Sequence, residues 1–324
     1  MNNIRIKNVF LSGVLLFFCG ASIASTALEN KVRGFLQQQV ENTNAPSLSV
    51  SAGHNGKVLF SVAAGVADKS TNSKADMNTQ YRTGSVSKVI GTTAFMPLLQ
   101  DNKVTLDDKV RTYLPYLPKH YQPIQLKHIL THTSGIRHYR FGEYGTNIHY
   151  PTLKVSTEVF RNDALLFTPL NMTNSELEIK GQEDEQYAVG YRSFMSNYPV
   201  KAIDVSNKYI GGGMRTTPTD LVLMVQAINH GKFMNPQTRS LMLTVPFLDV
   251  AGDRALGWRW LEHEGQKAFG HSGAINGFES YLAHFVEDDI TVAVMVNQDN
   301  YDHTGGTLYK VLELVQQELA AELN

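Results

Sequence analysis

Gly84-Ser85-Val86-Ser87-Lys88-Val89-Ile90 sets a hydroxyl and an amine three residues apart, at the start of an apolar run that continues through Ala94, Phe95, Met96, Leu98 and Leu99. A helix stacks residues i and i+3 on one face, so Ser85 and Lys88 would meet at the first turn of a buried helix. Burial makes it easier for lysine to lose its proton, and a neutral amine beside a serine can accept the hydroxyl proton. Backbone N–H groups at the same helix start would face a developing oxyanion. The spacing also arises by chance, with a capping serine and a solvent-facing lysine, so the surrounding sequence must decide between the two readings.

Thr79 to Gly84 leads into the serine, and the helix passes into Asn102-Lys103-Val104-Thr105-Leu106-Asp107-Asp108. Further along come Leu126-Lys127-His128-Ile129-Leu130-Thr131-His132-Thr133-Ser134-Gly135-Ile136-Arg137-His138-Tyr139 and Gly211-Gly212-Gly213-Met214 with Thr217-Pro218-Thr219-Asp220-Leu221. Gly270-His271-Ser272-Gly273 and Gly277-Phe278-Glu279-Ser280 complete the set. In this order the segments resemble the serine β-lactamase-like family of class C β-lactamases, D-alanyl-D-alanine carboxypeptidases, related esterases and a mitochondrial filament-forming protein. The Ile-Arg-His-Tyr ending is most similar to the mitochondrial branch.

The resemblance implies that Ser85 is the nucleophile and Lys88 its base. It also implies that His271, Ser272 and Gly273 form a third motif on an edge strand beside the serine, and that the N–H groups of Ser85 and Ala274 form an oxyanion hole. His271 could donate a hydrogen bond to the serine side of the site or to a substrate carboxylate, and Gly273 would let a substrate backbone approach closely. Thr217, Pro218 and Asp220 suit a helix start, as a cap, a fixed-φ residue and a charge favoured by the dipole, so that segment reads as architectural.

One expected motif is missing. Relatives carry Tyr-Xaa-Asn or Tyr-Xaa-Ser between the His-Thr-Ser-Gly landmark and a Pro-Leu-Gly-Met-like segment, whereas here Asn162-Asp163-Ala164-Leu165-Leu166-Phe167 runs directly into Thr168-Pro169-Leu170-Asn171-Met172. Tyr191-Arg192-Ser193 has the spacing but better matches a later variable loop. Ser70-Thr71-Asn72 has a Ser-Xaa-Asn spacing but precedes the nucleophile. A serine–lysine pair alone can still activate a hydroxyl.

The 324 residues carry a net charge of −1 and 42% hydrophobic residues, which suits one large or two intimate globular domains and argues against nucleic-acid binding. Residues 1–24 read as a secretory signal: Arg5 and Lys7, an apolar run from Val9 to Phe18, then Ser22-Ile23-Ala24. Cleavage there would place the protein in the periplasm or outside the cell and remove Cys19, the single cysteine. An uncleaved anchor is the alternative. His128 and His132 have i, i+4 spacing without the glutamate of a zinc helix, so no metal or other cofactor is expected.

Leu28, Val32, Phe35, Leu36 and Val40 recur at helical spacing. Leu48, Val50 and Ala52, then Val58, Phe60 and Val62, alternate around Asn55-Gly56 as a hairpin. Strands are expected at 258–261, 267–271, 280–285 and 291–297, and a terminal helix through Leu308, Val311, Leu312, Val315 and Leu319. The expected fold is therefore α/β: an antiparallel sheet flanked by N- and C-terminal helices, with a mainly helical insertion domain. The sheet domain would comprise 25–80 plus 246–324, and the insertion 81–245, shortened near 167–168. The function expected is an exported serine hydrolase acting through an acyl-enzyme on small-molecule or peptide substrates. The alternative is a non-catalytic binding or scaffold protein that keeps the fold.

Overall fold

The computed structural model describes residues 23–117, 119–135, 172–178, 184–193, 198–201, 203–206, 208–244, 252–301 and 303–322. The leader up to residue 22, the Ile136 to Tyr139 ending and the junction at 167–168 lie outside them. The chain opens with helix α1 (Ile23–Thr43), strands β1 (Ser47–His54), β2 (Lys57–Asp68), β3 (Ser73–Lys74) and β4 (Tyr81–Arg82), and helix α2 (Val86–Gln100). Short helices α3 (Val110–Tyr113) and α4 (Leu126–Leu130) follow. Next are β5 (Glu176–Leu177), β6 (Tyr191–Arg192), β7 (Tyr198–Pro199), α5 (Tyr209–Gly212), β8 (Met214–Thr216), α6 (Pro218–Asn229) and α7 (Pro236–Leu243). The chain finishes with β9 (Arg259–His263), β10 (Gln266–Ile275), β11 (Phe278–Phe285), β12 (Ile290–Val296), β13 (Gln298–Asp299) and α8 (Thr304–Glu322).

Seven strands form one sheet in the order β3-β2-β1-β12-β11-β10-β9. Its local pairings are antiparallel hairpins. β1–β2 turns at Asn55 and Gly56, both with positive φ as a two-residue hairpin turn requires. One pairing joins the two ends of the chain, β1 with β12 from Leu48↔Val296 to His54↔Ile290.

Alternation along these strands decides which helices cover them. Leu48, Val50, Ala52, Val292, Val294 and Val296 point to the face closed by Leu28, Val32 and Leu36 of α1 and by Leu308, Val311, Leu312 and Val315 of α8. Ala293, Met295, Leu282 and Phe269 point the other way, into a second core with Val86, Val89 and Ile90 of α2 and Leu221, Val222 and Val225 of α6. Each fully buried Val, Leu or Ile contributes roughly 1.5–3 kcal/mol of transfer free energy, so this two-sided sheet is the stable base on which α2 is mounted. Among the described residues, no helix is long and apolar enough to cross a membrane.

Two buried polar groups fix how the layers meet. Asn297 accepts from the Ser47 amide at 2.8 Å and the Ser47 hydroxyl at 2.9 Å, and its own amide donates to the carbonyls of Ala67 and Val189. One side chain thus joins β1, the end of β2 and the segment before β6. Between α6 and the sheet, the buried His284 lies 3.0 Å from Thr291 Oγ1 through Nδ1, while its Nε2 accepts from the Asn229 amide at 2.8 Å. Burial is the main reason that this imidazole is pushed down to about 4, and the nearby Asp289 opposes the shift only in part.

Candidate active site

A small three-stranded sheet, β4-β8-β5, delivers the chain to the serine. Arg82 on β4 is buried and forms an ion pair with Glu178, Nε to Oε2 at 2.6 Å, and Arg215 on β8 reaches the same oxygen at 3.1 Å. A carboxylate shared by two buried guanidiniums can persist only because both partners are present. Thr83 then donates its amide to the Met214 carbonyl at 3.0 Å, and its hydroxyl meets that of Ser87 at 2.5 Å. The middle hydroxyl of Ser85-Val86-Ser87-Lys88 is therefore structural.

Ser85 stands at the N-cap of α2, but its side chain makes no capping bond. Its Oγ lies 2.8 Å from Lys88 Nζ, which also donates to the Gly211 carbonyl at 2.9 Å. The reading of Ser85 as a cap beside a solvent-facing lysine does not hold, because Lys88 is half-buried and turned onto the serine. Burial, then the positive charge of Arg254, pulls the Lys88 ammonium below the usual lysine range. The Gly211 carbonyl, from the glycine run read as part of an architectural landmark, is a site group that the sequence reasoning missed.

The third motif approaches from the sheet. β10 is not an edge strand, since β9 lies outside it, but their pairing stops at Gly270↔Arg259. Residues 271–275 keep β11 on one side only and come against the start of α2 on the other. Contact there is backbone to backbone. Gly84 has φ +50°, and a methyl group on it would lie 2.6 Å from the Ala274 amide nitrogen; a methyl on Gly273 would lie 2.9 Å from the Ser85 amide nitrogen and overlap the Thr83 carbonyl oxygen. Ser280 on β11 donates to that same carbonyl at 2.7 Å, locking the two segments together.

His271 is half-buried, and its Nδ1 donates to the Ser272 carbonyl at 2.6 Å. That bond fixes the tautomer, leaving Nε2 as an acceptor in the neutral ring. Burial is the main reason the imidazole titrates below its usual range; the Ser272 bond opposes this, and the cations Lys88, Arg259 and Arg254 add to it. His132, left-handed at φ +59° after α4, is lowered by desolvation and then by Lys88, Arg254 and His271. Lys88, His132, Arg254, Arg259 and His271, drawn from separate segments, are thus linked electrostatically, with Lys88 in contact with Ser85.

The candidate Tyr191 is engaged away from the serine, as are two further described tyrosines. Tyr191 accepts from the Lys69 amide at 2.6 Å and sits on Asp68, Tyr81 is buried against the Ser47 hydroxyl at 3.0 Å, and Tyr187 bonds Glu176. Ser70 bonds Asp68 in the turn after β2. Thr217 caps α6 as its sequence implies, accepting from the Asp220 amide at 3.2 Å, while the Asp220 carboxylate turns inward to Asn174 and Ser175. Among the described residues, no three His, Cys, Asp or Glu side chains gather as a metal site would require.

Comparison with known proteins places this geometry. PbpX of Bacillus subtilis (strain 168), named as a penicillin-binding protein, is 26% identical over 299 residues, covering 82% of this chain and 74% of its own. The teichoic acid D-alanine hydrolase of Staphylococcus aureus (strain MRSA252) is 23% identical over 246 residues, with 66% of this chain and 60% of the relative covered. A class C β-lactamase structure superposes with a TM-score of 0.72 at 21% identity, over 90% of this chain and 98% of that one. A D-amino acid amidase from Ochrobactrum anthropi SV3, complexed with D-phenylalanine, does so with a TM-score of 0.69 at 18% identity, over 90% and 99%. The family described as Beta-lactamase matches residues 32–161 and 162–316, and the chain therefore belongs to the β-lactamase-like serine hydrolase family.

Proposed function

We propose that the protein is an exported serine hydrolase that works through an acyl-enzyme on ester, amide or peptide substrates. The observation that carries this reading is the 2.8 Å contact between Lys88 Nζ and a Ser85 hydroxyl that is not used as a helix cap. In the neutral amine, one N–H stays on the Gly211 carbonyl while the lone pair takes the serine proton. Ser85 Oγ attacks the substrate carbonyl, and the oxyanion is held by the amides of Ser85 and Ala274. Lys88 returns its proton to the leaving group as the acyl bond forms. Water then attacks the acyl-enzyme with His271 Nε2 as acceptor of its proton, and as the intermediate collapses to the acid the expelled Ser85 Oγ takes that proton back, leaving serine and imidazole neutral. Ser272 and Gly273, just past the point where the β9 pairing ends, line up the substrate backbone.

The site falls where residues 81–245 meet a sheet unit made of 25–80 and 246–324, which supports the two-part division read from the sequence. The basic start, apolar run and small residues of 1–24 support export. Nothing in this scheme needs the absent Tyr-Xaa-Asn motif for the attack step, although loss of one proton-transfer partner lowers rates by roughly 10²–10⁴-fold.

The test is hydrolysis of p-nitrophenyl acetate by wild type, Ser85→Ala and Lys88→Ala, with a thermal melt of each. A mass increase of one acyl group on wild type alone supports the mechanism. Turnover that persists in Ser85→Ala removes it, and cooperative folding without any serine-dependent activity favours the non-catalytic scaffold.

A further inference from the structure

Asp253 to Trp258 is a fixed loop wedged against the site. Its ties are Trp260 N to the Asp253 carbonyl at 2.8 Å, Leu256 N to the Met242 carbonyl at 3.1 Å and Gly257 N to the Leu130 carbonyl at 2.8 Å. Ala255, Leu256 and Trp258 are buried, and a methyl group on Gly257 would lie 3.3 Å from the Lys88 carbonyl. The loop therefore spans from α2 to the end of α4, just before His132. Arg254 bridges to Arg259, which in turn pairs with Gly270, the residue before His271.

Arg254 is exposed, and its side chain has no ion-pair or hydrogen-bond partner among the described residues. Its neighbour Asp253 does not neutralise it, because that carboxylate is held by Arg259 at 2.6 and 3.0 Å. The bridge to Arg259 sets Arg254 two strands from Gly270, and its positive charge adds to the lowering of Lys88, His132 and His271, in keeping with that place. Arg254 thus brings a permanent charge without a counter-ion among the described residues to the loop packed between α2 and the end of α4.

We propose that Arg254 is a specificity residue that anchors an anionic substituent of the substrate, a carboxylate in the first instance, while Ser85 addresses a carbonyl nearby. The planar guanidinium of arginine suits bidentate binding of a carboxylate, and because the loop backbone is already fixed only the arginine side chain has to be ordered. This inference rests on the hydrolase reading for its chemistry, but not for the binding itself.

Two measurements separate the claims. The first is serine-dependent kcat/KM for 4-nitrophenyl hemiglutarate against the neutral 4-nitrophenyl valerate. Arg254→Gln lowers the anionic-to-neutral ratio by roughly 10- to 100-fold, the worth of a charge-assisted hydrogen bond, and Arg254→Lys restores part of it. The second, read without turnover, is calorimetric binding of monomethyl glutarate against dimethyl glutarate, where Arg254→Gln weakens only the anion. An unchanged ratio with serine-dependent turnover intact overturns the anchor and leaves the hydrolase standing. Arg254-dependent binding without any turnover sustains the anchor and removes the hydrolase. Absence of monomethyl glutarate binding to wild type overturns the anchor whatever the kinetics show.

Discussion

Acidification should strike this fold at His284. In the folded chain Nε2 accepts from Asn229 and Nδ1 bonds Thr291 Oγ1, so a second ring proton would have to displace the Asn229 donor. The imidazole is pushed down to about 4 from an ordinary 6.5. As pH falls below 6.5 the unfolded chain takes up a proton that the folded chain refuses, so the stability present at neutral pH is lost until about pH 4, where both states titrate. At 1.36 kcal/mol per pH unit, the loss between pH 7 and pH 4 is about 3 kcal/mol, a large part of the stability of an ordinary domain. Urea unfolding of wild type and His284→Gln across that range isolates the effect, because glutamine cannot titrate. The wild-type curve should fall about 3 kcal/mol further than the variant's. Parallel curves would refute the reasoning, as would an NMR titration of His284 with an ordinary midpoint.

Other outcomes follow from the site and its supports. Glu178→Gln leaves Arg82 and Arg215 buried without their shared carboxylate and should cost about 3–5 kcal/mol in denaturant unfolding. Gly84→Ala forces a left-handed residue against the Ala274 amide; serine-dependent turnover should fall even at temperatures well below its lowered melting point, which costs about 1–2 kcal/mol of strain. On the proposed mechanism Lys88 works as its neutral amine, so the rate should rise with pH along the acidic limb, with an inflection below the ordinary lysine range. Removing the cationic neighbour in Arg254→Gln should move that inflection to higher pH, as a stopped pH–rate profile would show.

Local patterns made much of this legible. Ser85 and Lys88 are one helical turn apart, and the β1–β2 hairpin announces itself through Asn55-Gly56, so neither depends on distant sequence. The strand expected at 267–271 in fact runs on to Ile275, because the glycines at 270 and 273 read as strand ends when they are points of close backbone approach. Glu178 lies 96 residues from Arg82 and Gly211 123 from Lys88; no periodicity connects such pairs, and only the packed fold does. Arg254 gave no signal for the same reason, being one charge in a loop whose neighbours come from α2, α4, α7 and β9.

The serine–lysine contact and the docking of β10 onto Thr83 differ in how they could fail. The first needs only the opening turn of α2 to persist, whereas the second closes a span of 197 residues between Thr83 and Ser280. A fluctuation that lifts α2 from the sheet would then separate the two halves of the proposed machinery, leaving Ser85 paired with Lys88 but without the Ala274 amide proposed to hold the oxyanion. Catalytic competence in this chain would follow the integrity of the sheet–helix seam more closely than that of the motif. Distant core substitutions that loosen the seam should therefore lower turnover before they lower reactivity toward a strongly activated acyl donor.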